Sequence, residues 1–224
     1  MGLVQTTKNV PAGSGMAEGR GRPRLAGPGY AEYLLVVYPD GDLQDRLLEE
    51  QEQFASDYFP GDYGLGHRPD KGQRIADHPG RNKPHITLAT FQAGEEAEDT
   101  LIRWIQRICQ QRRSIDMALN NYSGIPPHTI YLRVQDPEPL WELMQQLGAI
   151  DEYIQSSGWP PVRLHGRPYL SIAGGLTEQV YNKAMPDYSR KTFYGTFCVR
   201  ELVLLKRKHS FDPCKTVNVF GLKS

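Results

Sequence analysis

Three cysteines, Cys109, Cys198 and Cys214, are too few and too widely spaced for a disulfide framework, and they match no zinc pattern. A cytoplasmic setting is the expectation. No apolar run approaches the ~18 residues that a membrane span needs, and no charged-then-apolar leader opens the chain, so neither a membrane nor secretion is expected. An excess of charge is missing too. Lys plus Arg and Asp plus Glu both number 26, which leaves a net charge of zero. That excludes bulk attraction to nucleic acid or lipid as the basis of function; a nucleic-acid ligand requires a local basic cleft. His67, His78, His128, His165 and His209 show no ligand spacing, and no HExxH or paired-cysteine motif occurs. No metal and no cofactor is expected. What remains is ordinary: 39% hydrophobic and 23% charged residues, the composition of a soluble globular chain with a normal core.

Against this background one heptapeptide stands out. Lys83-Pro84-His85-Ile86-Thr87-Leu88-Ala89 is echoed 84 residues later by Arg167-Pro168-Tyr169-Leu170-Ser171-Ile172-Ala173. Both copies read base, Pro, ring, aliphatic, hydroxyl, aliphatic, Ala. A strand turns successive side chains to opposite faces. Ile86, Leu88, Leu170 and Ile172 then face a core. His85, Thr87 and Ala89, and Tyr169, Ser171 and Ala173, face the floor of a cleft. Pro84 and Pro168 sit at strand entrances, where a missing N–H is tolerated.

The paired motif resembles the 2H phosphoesterase superfamily, in particular its bacterial 2′-5′ RNA ligase-like branch. The resemblance covers about residues 31 to 222. It implies an α+β, bilobal, pseudo-symmetric fold: two antiparallel-rich sheets, helices outside and a central cleft to which each lobe gives one motif strand. It also implies two histidines acting as general base and general acid on a 2′,3′-cyclic or 2′-5′ phosphodiester, with the hydroxyls holding phosphate oxygens. The first motif fits in full. In the second, Tyr169 stands where the family has its other His, and Gly174 stands where members often carry a basic residue. His165 would fill the gap only if the chain folded back, and that is not expected. Four residues upstream of Tyr169, it lies ~13 Å away along an extended strand.

Taken in order, residues 1–29 hold seven Gly and three Pro without apolar periodicity and are expected to be a disordered extension. Its Arg20, Arg22 and Arg24 read as a solvated tail, and Met1-Gly2 with Thr6 as a chance match to a myristoylation pattern. Residues 30–224 are expected to form one two-lobed domain. Ala31 to Tyr38 reads as a buried strand. Asp42 to Phe59 reads as a helix with Leu43, Leu47, Phe54 and Tyr58 near one face, capped by Asp40 or Asp42. Pro60 to Asn82 is a long loop carrying His67, Arg68, Lys71, Arg74 and Arg81: either a basic lid or a solvated connection. Helices are expected over Gly94 to Arg113, with Ala97, Leu101, Trp104, Ile105 and Ile108 as its stripe, and over Pro137 to Ser157. Between them Ile115–Leu119 and Ile130–Val134 suggest a hairpin. Thr177 caps a short helix that Pro186 breaks. A strand or ribbon follows over Thr192 to Lys208, and a last strand over Val217 to Leu222.

The chemistry implied is metal-independent. A histidine suits either proton-transfer role because its ordinary pKa, ~6.5, lies near working pH. The candidate site is therefore His85 and Tyr169 as catalytic groups and Thr87 and Ser171 as phosphate ligands, with Lys83 and Arg167 at the cleft mouth. The expected partner is an RNA end or nucleotide bearing a cyclic or 2′-5′ phosphodiester, met by a monomer of reduced activity. The competing reading is a catalytically degenerate protein that binds phosphate or a nucleotide. Tyr131, Tyr122, Phe91 and Trp159 are candidates to stack on a base, although packing is the commoner role for each.

Overall fold

The computed structural model describes residues 29–59, 83–209 and 212–223. The expected N-terminal extension and the basic loop over 60–82 lie outside the described residues.

The strands are β1 (Tyr30–Val37), β2 (Ile86–Gly94), β3 (Ile115–Ile125), β4 (Thr129–Gln135), β5 (Arg163–Leu164), β6 (Tyr169–Ala173), β7 (Tyr194–Val199), β8 (Glu201–Arg207) and β9 (Lys215–Gly221). The α-helices are α1 (Gly41–Tyr58), α2 (Glu98–Cys109), α3 (Glu138–Gln146), α4 (Gly148–Ser156) and α5 (Glu178–Tyr188). The two expected sheets are the halves of one sheet, ordered β7-β3-β4-β6-β2-β1-β8-β9, with β5 beside β2. All strand-to-strand ladders are antiparallel.

The halves meet where the two heptapeptide strands pair, at the single residue pair Ile86–Leu170. Extending that register by two residues sets Pro168 against Leu88 and Pro84 against Ile172. Each proline lacks the N–H that another rung requires, so the seam stops on both sides and the strands diverge. The pseudo-symmetry extends to an irregularity. Against β1, Leu35 pairs with Ala89 but Val36 with Thr87, which leaves Leu88 as an extra residue. Against β4, Ile130 pairs with Ala173 but Tyr131 with Ser171, which leaves Ile172 extra. Both bulges fall at the sixth position of the heptapeptide.

The connections cross between halves. α1, which joins β1 to β2, packs on β6 and β7 of the other half, while α3, on the way from β4 to β6, packs on β2. α1 is held there by Tyr122 Oη donating to Glu50 Oε2 (2.7 Å) and Arg46 Nη2 donating to the Tyr194 carbonyl (3.1 Å). The main core lies between sheet and helices, with Tyr33, Leu47, Phe54, Leu88, Ile105, Leu132 and Leu170 at zero exposure.

Several local expectations are corrected. The helix expected over Pro137 to Ser157 is two, broken at Leu147–Gly148. Pro186 does not end α5, which runs on to Tyr188 after Thr177 accepts from Val180 N. Trp104 turns to solvent at 38% exposure instead of joining the α2 stripe. Asp40 takes the N-cap position of α1 through its carbonyl, which accepts from Gln44 N, and its side chain makes no capping bond.

The strand or ribbon expected over Thr192 to Lys208 is two strands that do not pair with each other, six places apart in the sheet and separated only by Arg200. Laid flat, six spacings are ~29 Å, whereas one residue spans ~3.4 Å. The sheet therefore curls until β7 runs into β8. The C-terminal end of β9 continues the closure: Ser114 N donates to Lys223 O (2.8 Å) and Lys223 N to Arg112 O (2.7 Å).

Asn121 fastens β7 to β3. It sits in a bulge at φ 51°, its amide donates to Phe193 O (2.9 Å), and its Oδ1 accepts from Phe193 N (3.1 Å). Asn tolerates this left-handed conformation better than other side chains except Gly. Asn121→Ala is expected to destabilise by about 1–3 kcal/mol through the lost acceptor and the strain. Asn121→Gly, which relieves only the strain, should cost less in urea unfolding.

Candidate functional site

The diverging heptapeptide strands leave a cleft of about 240 Å³. His85, Thr87, Tyr169, Ser171, Lys83 and Arg167 all line it. The seam register places Thr87 opposite Tyr169 and His85 opposite Ser171. His85 and Tyr169 flank the Ile86–Leu170 pair and both line the cleft.

His85 is half-buried and its Nδ1 lies 2.8 Å from the Lys83 carbonyl. A carbonyl only accepts, so Nδ1 carries the hydrogen and the lone pair of the neutral ring is on Nε2. Tyr38 meets the imidazole edge-on, with ring centroids 5.9 Å apart. Tyr169 rests against Tyr131 at 4.8 Å. Thr87 and Ser171 are half-buried. Among the described residues the lining holds the cations Lys83, Arg167 and Arg207 and no Asp or Glu. Arg207 Nε donates to Glu32 Oε2 at 2.6 Å, so Lys83 and Arg167 carry the less compensated charge.

The bulges re-phase both strands. Ala89 and Ala173 join the core instead of the cleft floor, and the next residues, Thr90 and Gly174, line the cleft. Simple alternation misses them because it assumes a regular strand. His165 does reach the cleft, although not the position of Tyr169. The chain folds back so that β5 pairs with β2 where β6 leaves it, and His165 N donates to Leu88 O (2.9 Å). Its ring Nε2 lies 3.1 Å from Thr90 Oγ1. Burial first, and the nearby Arg163 charge second, hold the His165 pKa below its ordinary value.

Gln51 of α1 also lines the cleft and is the one buried polar residue among the described residues. Its signal in the sequence is its position on the apolar stripe Leu43, Leu47, Gln51, Phe54. Of the aromatic candidates for stacking, Phe91 and Tyr122 are core residues at 4% and 7% exposure. Trp159 packs on Tyr153. Tyr131 alone stands beside the site, through Tyr169. Among the described residues, no cluster of His, Cys, Asp or Glu is able to hold a metal ion, and no helix is long and apolar enough to cross a membrane.

Comparison with known proteins bears on this cleft. A family model described as the 2′-5′ RNA ligase superfamily matches residues 70–210. Among curated proteins none matches the chain. Among solved structures, E. coli LigT complexed with 3′-AMP superposes with a TM-score of 0.56 at 16% identity, covering 87% of this chain and 99% of that one. TT0787 of Thermus thermophilus gives 0.52 at 14%, covering 86% and 98%. A structure described as a phosphoesterase gives 0.52 at 16%, covering 87% and 99%. At these identities the likeness establishes the fold.

A half-buried His165 with a lowered pKa has a signature in stability. Its folded pKa lies below the unfolded value of ~6.5, so its contribution is full above that pH and is lost as pH falls through the folded pKa. Urea unfolding at pH 7.5 and 5.5 is expected to show a larger loss for the wild type than for His165→Asn. Parallel losses would refute the assignment.

Proposed function

The chain belongs to the 2′-5′ RNA ligase superfamily, and from that footing we propose that its cleft acts on a 2′,3′-cyclic or 2′-5′ phosphodiester of a nucleotide or RNA end, by metal-independent acid–base catalysis at reduced rate. The family carries the coarser statement, a 2H phosphoesterase or RNA ligase-like function. The observation that supports the finer reading is the meeting of both heptapeptides in one cleft, with ring and hydroxyl from each strand and no carboxylate among the described lining residues. LigT was solved with 3′-AMP, a nucleoside monophosphate.

In hydrolysis of a cyclic diester, His85 Nε2 takes a proton from water as its oxygen bonds to phosphorus. The bond from phosphorus to one ribose oxygen breaks, and that oxygen leaves as a hydroxyl with a proton from the Tyr169 phenol. Thr87 and Ser171 donate to the non-bridging oxygens, where negative charge builds. Lys83 and Arg167 attract the phosphate. A phenol ordinarily titrates near 10, so it gives up its proton less readily than an imidazolium, which is why the rate is low. The acting species is taken as a cytoplasmic monomer in which residues from 30 onward form one domain.

One observation favours the second reading, a phosphate- or nucleotide-binding protein without turnover. Tyr169 packs against Tyr131 as part of the cleft wall, and a wall residue does not need to transfer a proton.

Turnover of a 2′,3′-cyclic nucleotide separates the two. His85→Ala is expected to lower it by about 10²–10⁴-fold. Tyr169→His is expected to raise it at least about tenfold and Tyr169→Phe to lower it. Wild-type turnover that survives His85→Ala sinks the catalytic assignment. A flat response to Tyr169→His, with nucleotide binding retained, gives the lead to the binding reading.

A further inference from the structure

We propose that Gln51 is a specificity residue, which accepts a hydrogen bond from the ribose hydroxyl next to the bound phosphate and so selects ribonucleotides over deoxyribonucleotides. The inference rests on the phosphate site proposed above.

Gln51 is 8% exposed and lines the cleft. Its Nε2 donates to the Ser171 carbonyl at 3.0 Å. That carbonyl only accepts, so the amide cannot be turned round, and the oxygen end is committed. Oε1 has no hydrogen-bond partner among the described residues. A buried acceptor without a donor costs stability, whereas an apolar side chain of similar size at this point of the α1 stripe does not. An orphaned acceptor in a ligand cleft therefore calls for a donor supplied by the ligand.

The chemistry of the site narrows which donor. Ser171 offers its hydroxyl toward the phosphate and its carbonyl to Gln51, so the Gln51 amide sits within one residue of the phosphate position. Phosphate oxygens accept and cannot satisfy Oε1. A hydroxyl on the carbon next to the phosphorylated one can. A ribonucleoside 2′- or 3′-phosphate carries such a group, and it is the same oxygen that cyclic diester hydrolysis releases as a hydroxyl. α1 belongs by sequence to the first half but packs on the second, which is how a residue so far from the Tyr169 motif reaches it.

The test is binding of adenosine 3′-monophosphate, its 2′-deoxy analogue and inorganic phosphate to the whole protein, by calorimetry. The ribonucleotide is expected to bind about tenfold more tightly than the deoxy analogue, the usual scale of one hydrogen bond to a buried group. Gln51→Leu is expected to bring the two within about threefold while phosphate still binds. Equal wild-type affinities, with phosphate still binding, overturn the role of Gln51 and leave the phosphate site standing. Wild-type discrimination that persists in Gln51→Leu also overturns it. Failure of both phosphate and nucleotide to bind overturns the site itself and the inference with it. Should Gln51→Leu not fold, Gln51→Met, which keeps the side-chain length and removes the acceptor, is held to the same expectation.

Discussion

The one-pair seam between β2 and β6 is the constraint on which the rest depends. Two strands that continued side by side would bury their polar faces in an ordinary sheet with no room for a ligand. Pro84 and Pro168 prevent this by withholding an N–H on each side of Ile86–Leu170. The strands part, and their ring and hydroxyl side chains become the cleft floor. Where β6 leaves β2, the His165 amide takes the Leu88 carbonyl, so the divergence does not strand that polar group.

The scaffold is nearly symmetric and its chemistry is not. Matching positions carry His85 and Tyr169, Thr87 and Ser171, Lys83 and Arg167. Beyond the bulges they carry Thr90 and Gly174. The exchanges all fall on the cleft face, while the core positions Ile86, Leu88, Leu170 and Ile172 stay aliphatic and at or near zero exposure. Packing holds the backbone to one geometry in both halves and leaves the lining side chains free to differ. Gly174 removes side-chain volume on the side where Gln51 approaches Ser171. Thr90 holds a hydroxyl against His165 on the other.

Much of this was legible in the sequence because strand alternation is local. The heptapeptide period placed His85, Thr87, Tyr169 and Ser171 on one surface, and the echo implied that the two copies share it. What escaped depended on contacts that no local pattern encodes. Bulges at Leu88 and Ile172 arise from pairing with β1 and β4, so the exchange of Ala89 for Thr90 was hidden. The fold-back of β5 answers an acceptor on β2. The division of β7 from β8 at Arg200 is invisible locally, because both strands share one extended apolar pattern. Gln51 left a trace, as a polar residue on an apolar helical stripe, that only the crossing of α1 to the far half makes meaningful.

The passage of β7 into β8 through Arg200 also bears on how the protein is made. β1 is made long before its second neighbour, β8; Arg207 and Glu32, joined across that ladder, are 175 residues apart. With synthesis at ~5–20 residues per second, β1 and β2 wait on the order of ten seconds between completion of β2 and arrival of β8. Through that interval β1 shows an open edge, the kind of surface to which other chains add strands. The long-range ladder that closes the native sheet thus leaves the first half with an unpaired edge until β8 arrives, and any truncation before β8 leaves that edge bare.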